Sequence, residues 1–206
     1  MKELGISKHS YVEFWDTDDA NNYPYYMGMM DNEETTHYSA VFYKSVTPGL
    51  NDTEVKSWID TNLNGCFRMI KACMPGMMSR KWGRIVNVGS TAARTAFPKY
   101  AAFCASKSGL LGLNRAVALE GAAHGVTATV VSPTWVQTEM MNKSFEAKAK
   151  ARGTSFGEEI GALISESPQQ RLVQPEEIGA LIAFLCREEA AGITMEDIQV
   201  NAAAWW

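Results

Sequence analysis

The chain has 206 residues, of which 46% are hydrophobic and 20% charged, with a net charge of −4 at pH 7. That is the composition of an ordinary soluble globular domain with material for a sizeable core, and it carries no basic footprint for nucleic acid. The cysteines Cys66, Cys73, Cys104 and Cys186 lie apart without CxxC spacing, and there is no signal-like stretch or apolar run of membrane length, so a reducing cytoplasm is the expected location.

Residues 1–40 read as an irregular segment. Asp16–Asn22 is acidic and polar, and Tyr23-Pro-Tyr-Tyr and Met27-Gly-Met-Met follow it without a steady period of strand or helix, so no strand is predicted. From about Pro48 onward, helices and strands alternate. Asn51-Asp-Thr-Glu54 has the form of an N-cap with a glutamate three residues on, and Val55, Trp58, Ile59 and Asn62 then share a helical face. A second helix is predicted from about Gly65 to Ser79, with a turn at Lys81-Trp-Gly83. The β-branched run Arg84–Val88 has the character of a buried strand. A helix from about Tyr100 to His124, stopped by Gly125, leads to a second buried strand at Val126–Val131. Strand, helix, strand implies a parallel sheet. Pro175 opens the clearest amphipathic helix, whose face Ile178, Leu181, Ile182 and Leu185 is predicted to cover one side of that sheet.

The chemistry-bearing pattern sits on these elements. Arg84-Ile-Val-Asn-Val-Gly-Ser90 ends a strand on a serine, and Tyr100-Ala-Ala-Phe103-Cys-Ala-Ser-Lys107 places an aromatic thirteen residues later and a lysine one turn beyond it. Singly, each residue has a plain structural reading. Together with Asn62 in Thr-Asn-Leu-Asn-Gly65 and the context Ala105-Ser-Lys-Ser-Gly109, they resemble the short-chain dehydrogenase/reductase family. The resemblance runs over about residues 37–206 and is strongest from about Trp58 to Met140. It implies an α/β fold: an incomplete Rossmann-like, doubly wound parallel sheet lacking the first βαβ units. Residues 1–40 would replace the cofactor-binding half, and 41–206 would form the α/β domain.

The same resemblance assigns roles. Asn62 matches the asparagine that helps hold a proton-relay water, Ser90 the serine that hydrogen-bonds a substrate carbonyl, and Lys107 the lysine that grips the cofactor ribose. The tyrosine that exchanges the substrate proton is Phe103 here, and a benzyl group has no proton to give. Tyr100 is the candidate substitute acid. Pro133-Thr-Trp-Val-Gln-Thr138 resembles the loop that meets the nicotinamide and cofactor phosphates, making Pro133, Val136 and Thr138 remnant cofactor residues alongside Lys107. NAD or NADP is the cofactor by ancestry, yet no glycine-rich phosphate turn precedes Asn62, and the Asn-Asn-Ala-Gly element of the family corresponds at most to His37-Tyr-Ser-Ala40. Thr134, Met195 and Ala202-Ala203 stand where glycines are usual, which implies either relaxed constraints or a remodelled backbone path.

Three readings follow: a pseudoenzyme or partner subunit impaired in redox catalysis, an active enzyme on the same scaffold using Ser90, Asn62, Lys107 and Tyr100 on a carbonyl or hydroxyl substrate, or a truncated product without function. His9, His37 and His124 show no ligand spacing, so no metal is expected. The acidic run Asp16-Thr-Asp-Asp19 reads as a solvated loop, the eleven methionines as gap-fillers, and Trp205-Trp206 as a cover for a subunit contact or a substrate cavity or as simple packing. In the family, the helices at about 65–79 and 100–123 pack against symmetry mates. A homodimer, or a heteromer with an intact relative, is therefore expected, with Met69, Ala72, Met77, Ala101, Leu111 and Ala122 on the outward faces.

Overall fold

The computed structural model describes residues 13–15, 24–27, 38–39, 52–96 and 100–204. Near the start, β1 (Glu13–Trp15), β2 (Pro24–Met27) and β3 (Tyr38–Ser39) form a three-stranded antiparallel sheet in chain order. The sequence reading foresaw no strand here. The segments are three, four and two residues long, too short to establish a period, although the aromatic residues of β1 and β2 favour extended backbone. The acidic run at 16–19, the cap at Asn51, His9, His37, Ala40 and the terminal tryptophans lie outside the described residues.

The principal sheet is parallel, with β5 (Val126–Pro133) between β4 (Gly83–Val88) and β6 (Asp197–Val200). Side chains alternate across it, so Ile85 and Ala128 enter one core while Val86 and Val131 enter the other. On the first face lie α2 (Gly65–Ser79) and α3 (Ala101–Ala122), which contribute Ile70, Cys73, Met74, Met77, Val117 and Ala118. On the second lies α6 (Pro175–Leu185), which lays down the predicted stripe Ile178, Leu181, Ile182 and Leu185. The result is the expected helices-on-both-faces α/β fold.

Two features depart from simple periodicity. Between α1 (Asp52–Ile59) and α2, residues Asp60–Asn64 adopt a π-helix, which rotates the register so that Asn62 is buried while Val55 is exposed. Beyond β5, α4 (Glu139–Arg152) and α5 (Phe156–Glu166) form a helical hairpin with its own small core of Met141, Phe145 and Leu172. Its start signals were present in the sequence: Thr138 caps α4, and Ser155 with Glu158 makes a capping box on α5. Among the described residues, no helix is long and apolar enough to cross a membrane.

At the start of α6, Glu177 takes both guanidinium nitrogens Nη1 and Nη2 of Arg171 at 2.7 and 2.8 Å and accepts from the Gln174 backbone N–H at 2.7 Å. The Arg171 bonds, and then the Gln174 bond, hold its carboxyl down at about 2. A carboxyl lowered on folding stabilises the fold above its unfolded value, and that contribution is lost as pH falls toward the folded one. Glu177→Gln is therefore expected to lower the urea midpoint slightly at neutral pH, with the difference from wild type closing between 4.5 and about 2.

Candidate functional site

The site assembles where β4 ends against α3. Gly89 continues the ladder by donating its N–H to the Val131 carbonyl at 2.8 Å. It must be glycine, since a Cβ would sit 2.5 Å from both Ser132 Oγ and Val130 Cγ1. Ser90 follows in extended backbone, and its Oγ accepts the Ala92 N–H at 3.1 Å, capping the 3₁₀ turn Thr91–Ala93. Because that oxygen is used as an acceptor, the hydroxyl proton remains to be donated to another group.

From α3, the Lys107 ammonium reaches back and donates to the Val88 carbonyl at 2.8 Å, two residues before Ser90. The lysine is 5% exposed. One turn earlier, the Phe103 ring lies 5.9 Å from that ammonium and packs edge-on against Trp58 at 5.3 Å. Asn62 comes from the π-helix and donates through Nδ2 to Ser106 Oγ at 3.1 Å, and Ser106 in turn donates to the Phe103 carbonyl at 2.7 Å. Ser90, Lys107, Phe103 and Asn62 are thus joined by contacts through Val88 and Ser106. Tyr100 is the N-cap residue of α3 with φ −113° and ψ 22°, so it precedes the helical face that Phe103 and Lys107 share. Its ring meets Phe103 at 6.4 Å.

The loop after β5 is also tied down. Pro133 ends the strand, the Thr134 N–H donates to the Val200 carbonyl at 3.2 Å, and Val136 bridges to Val173. Thr138 Oγ1 accepts the Met141 N–H at 3.2 Å as the α4 cap. Sequence reasoning missed the packing of Trp58 on Phe103, and it missed Arg94, Ser132 and Asp197 altogether. The signal for Asp197 was an acidic residue opening the short strand Asp197-Ile-Gln-Val200.

Lys107 and the 133–138 loop are the residues that the family resemblance would set against the nicotinamide end of a dinucleotide. Its pyrophosphate needs a glycine-rich turn opening on a helix N-terminus, and among the described residues the glycines with positive φ are Gly125 and Gly153, both at helix C-terminal ends. The described residues do not complete a dinucleotide site. Among them, no cluster of three or more His, Cys, Asp or Glu residues is placed to hold a metal ion.

Comparison with known proteins agrees with this geometry. A family model described as enoyl-(acyl carrier protein) reductase matches residues 37–202. The chain is 37% identical over 148 residues to a D-beta-hydroxybutyrate dehydrogenase of Cupriavidus necator, covering 71% of this chain and 55% of the relative. It is 34% identical over 156 residues to a 3-oxoacyl-acyl-carrier-protein reductase of Escherichia coli, covering 76% and 59%. Among solved structures, an actinorhodin polyketide ketoreductase variant with NADPH superposes with a TM-score of 0.73 at 32% identity, covering 79% of this chain and 63% of that one. The chain therefore spans less than two thirds of the length of these proteins. Over the region it shares with them, it belongs to the short-chain dehydrogenase/reductase family.

Proposed function

We propose that this chain is a divergent family member that does not itself reduce ketones, acting instead as a pseudoenzyme or as the partner subunit of an intact relative. The observation that carries this reading is Phe103. Its ring fills the place of the proton donor, packed against Trp58 and beside Lys107, with no hydroxyl to offer. The relatives' names, a D-beta-hydroxybutyrate dehydrogenase and a 3-oxoacyl-acyl-carrier-protein reductase, with NADPH bound in the similar ketoreductase structure, support an ancestor that interconverted 3-oxo and 3-hydroxy acyl compounds. Ser90 and Lys107 remain, so the pocket keeps donors for a carbonyl ligand that it binds without turnover. NADH and NADPH oxidation followed with 3-oxo esters tests the proposal. No turnover above the uncatalysed rate is expected, and a rate close to that of an intact relative would overturn it.

Assembly through α2 and α3 belongs to the same proposal. Met69, Met77 and Leu111, expected on the outward faces, are instead buried within the chain at 2%, 4% and 8% exposed, Met77 in the core on the first face of the sheet. The apolar groups left in water are Phe67 on α2, 51% exposed, and Leu119 on α3, 66% exposed, with Ala72 and Ala122 exposed beside them. Large exposed apolar side chains of this kind suit a symmetric contact. In light scattering the protein is expected to run as a dimer or larger, and Leu119→Glu as a folded monomer. A stable wild-type monomer that captures no intact relative would remove the assembly reading.

A further inference from the structure

Ser90 is held by more than its own strand. The 3₁₀ turn that it caps ends at Arg94, whose Nε donates to Asp197 Oδ2 at 2.7 Å. The other carboxylate oxygen, Oδ1, accepts the Ser132 hydroxyl at 2.5 Å. Ser132 is fully buried, and its Oγ packs so close to Gly89 that a Cβ there would stand 2.5 Å from it. The contacts therefore close a ring: Ser90, the 3₁₀ turn, Arg94, Asp197, Ser132, Gly89 and back to Ser90. Asp197 is buried, its side chain only 5% exposed, while Arg94 is 45% exposed. An exposed ion pair alone contributes little. This one is half sunk in the protein and ties the turn after β4 to the start of β6 on the far side of β5, so it fixes a direction rather than merely adding stability.

We propose that Arg94 and Asp197 are positioning residues for Ser90, holding its hydroxyl at the angle from which it donates to a ligand carbonyl. The inference rests on reading Ser90 as that donor. Neither Arg94 nor Asp197 touches the ligand. Arg94 sets the far end of the turn that Ser90 caps, and Asp197 braces Ser132 beneath Gly89. Loosening either one lets the Ser90 hydroxyl swing, and a hydrogen bond weakens steeply as its angle opens.

The test uses ethyl acetoacetate labelled with ¹³C at the ketone as the probe, in saturating amount with the full chain, and reads the ketone ¹³C shift of the bound form. Donation from Ser90 polarises the carbonyl and moves the signal downfield. The wild-type protein is expected to show that displacement, Ser90→Ala to lose it, and Arg94→Met and Asp197→Asn each to lose at least half of it. Arg94→Lys, which keeps the cation, should retain most of it. Arg94 is exposed, so its variants test the idea even where an Asp197 variant folds poorly. A merely structural pair would lower the melting temperature without moving the ketone signal. If wild type and Ser90→Ala give the same signal, the reading of Ser90 fails and this inference with it. If those two differ while Arg94→Met and Asp197→Asn match wild type, the inference alone is overturned.

Discussion

Phe103→Tyr is expected to restore a phenol beside Lys107 and still leave ketone reduction by NADH or NADPH undetectable. General acid catalysis supplies about 10²–10⁴ in rate, and that factor is what the phenylalanine removes from the ancestral reaction. The new hydroxyl would enter where the ring already lies 5.9 Å from the Lys107 ammonium, one turn from a lysine anchored on Val88. Proton transfer would then have its donor. On the proposed reading hydride transfer would still lack its source, since the described residues hold no glycine-rich turn opening on a helix N-terminus. The readout is cofactor oxidation at 340 nm, to about the limit of the uncatalysed rate, alongside calorimetry with NAD(H) and NADP(H). Binding no tighter than about millimolar, roughly 4 kcal/mol, is expected for both proteins. Robust turnover by the single variant would place the cofactor cradle among residues 1–50 and return the chain to the active members of the family.

What the sequence disclosed follows from where its constraints are local. The helix Gly65–Ser79, the strand from Arg84 and the amphipathic helix Pro175–Leu185 each carry their own period and stop signals, and their bounds agree with the structure to within a residue. Helix geometry alone puts Phe103 and Lys107 on one face, while Ser90 joins them in the sequence reading only through the family resemblance. The π-helix was not legible, since nothing in Asp60-Thr-Asn-Leu-Asn64 distinguishes it from α-helix. It nevertheless decides that Asn62 turns inward to Ser106. The ring through Arg94, Asp197 and Ser132 joins residues more than a hundred positions apart at its widest span, and no local pattern encodes such a contact. The strands near residue 13 and residue 25 are too short for periodicity to register.

The lost glycines allow a sharper choice than the sequence did, and they set the second prediction. Were the constraint relaxed, Met195, Ala202 and Ala203 would sit at negative φ. They lie instead at +67°, +48° and +65°, so the backbone has kept the left-handed path without the residue that suits it. Thr134 has no positive φ, and there the glycine is dispensable. A side chain in the left-handed region costs about 1–2 kcal/mol, and glycine's extra unfolded-state freedom returns about 0.5–1 of any gain. The three positions should therefore part company. Ala203 is exposed, so Ala203→Gly is expected to stabilise the fold by about 0.5–1 kcal/mol, a rise in melting temperature of about 1–4 °C. Met195, at 37% exposed, gives up some packing and should gain less. Ala202, at 8% exposed, would lose a buried methyl worth about 0.8 kcal/mol, and Ala202→Gly should be near neutral. The Met195→Gly, Ala203→Gly double variant should melt highest, since the two sites flank opposite ends of β6 and their gains should add. Calorimetric melting of the four variants decides the matter. Ala203→Gly melting at or below wild type would mean that the Asn201 side chain, which accepts the Ala203 N–H at 3.1 Å, already relieves the turn.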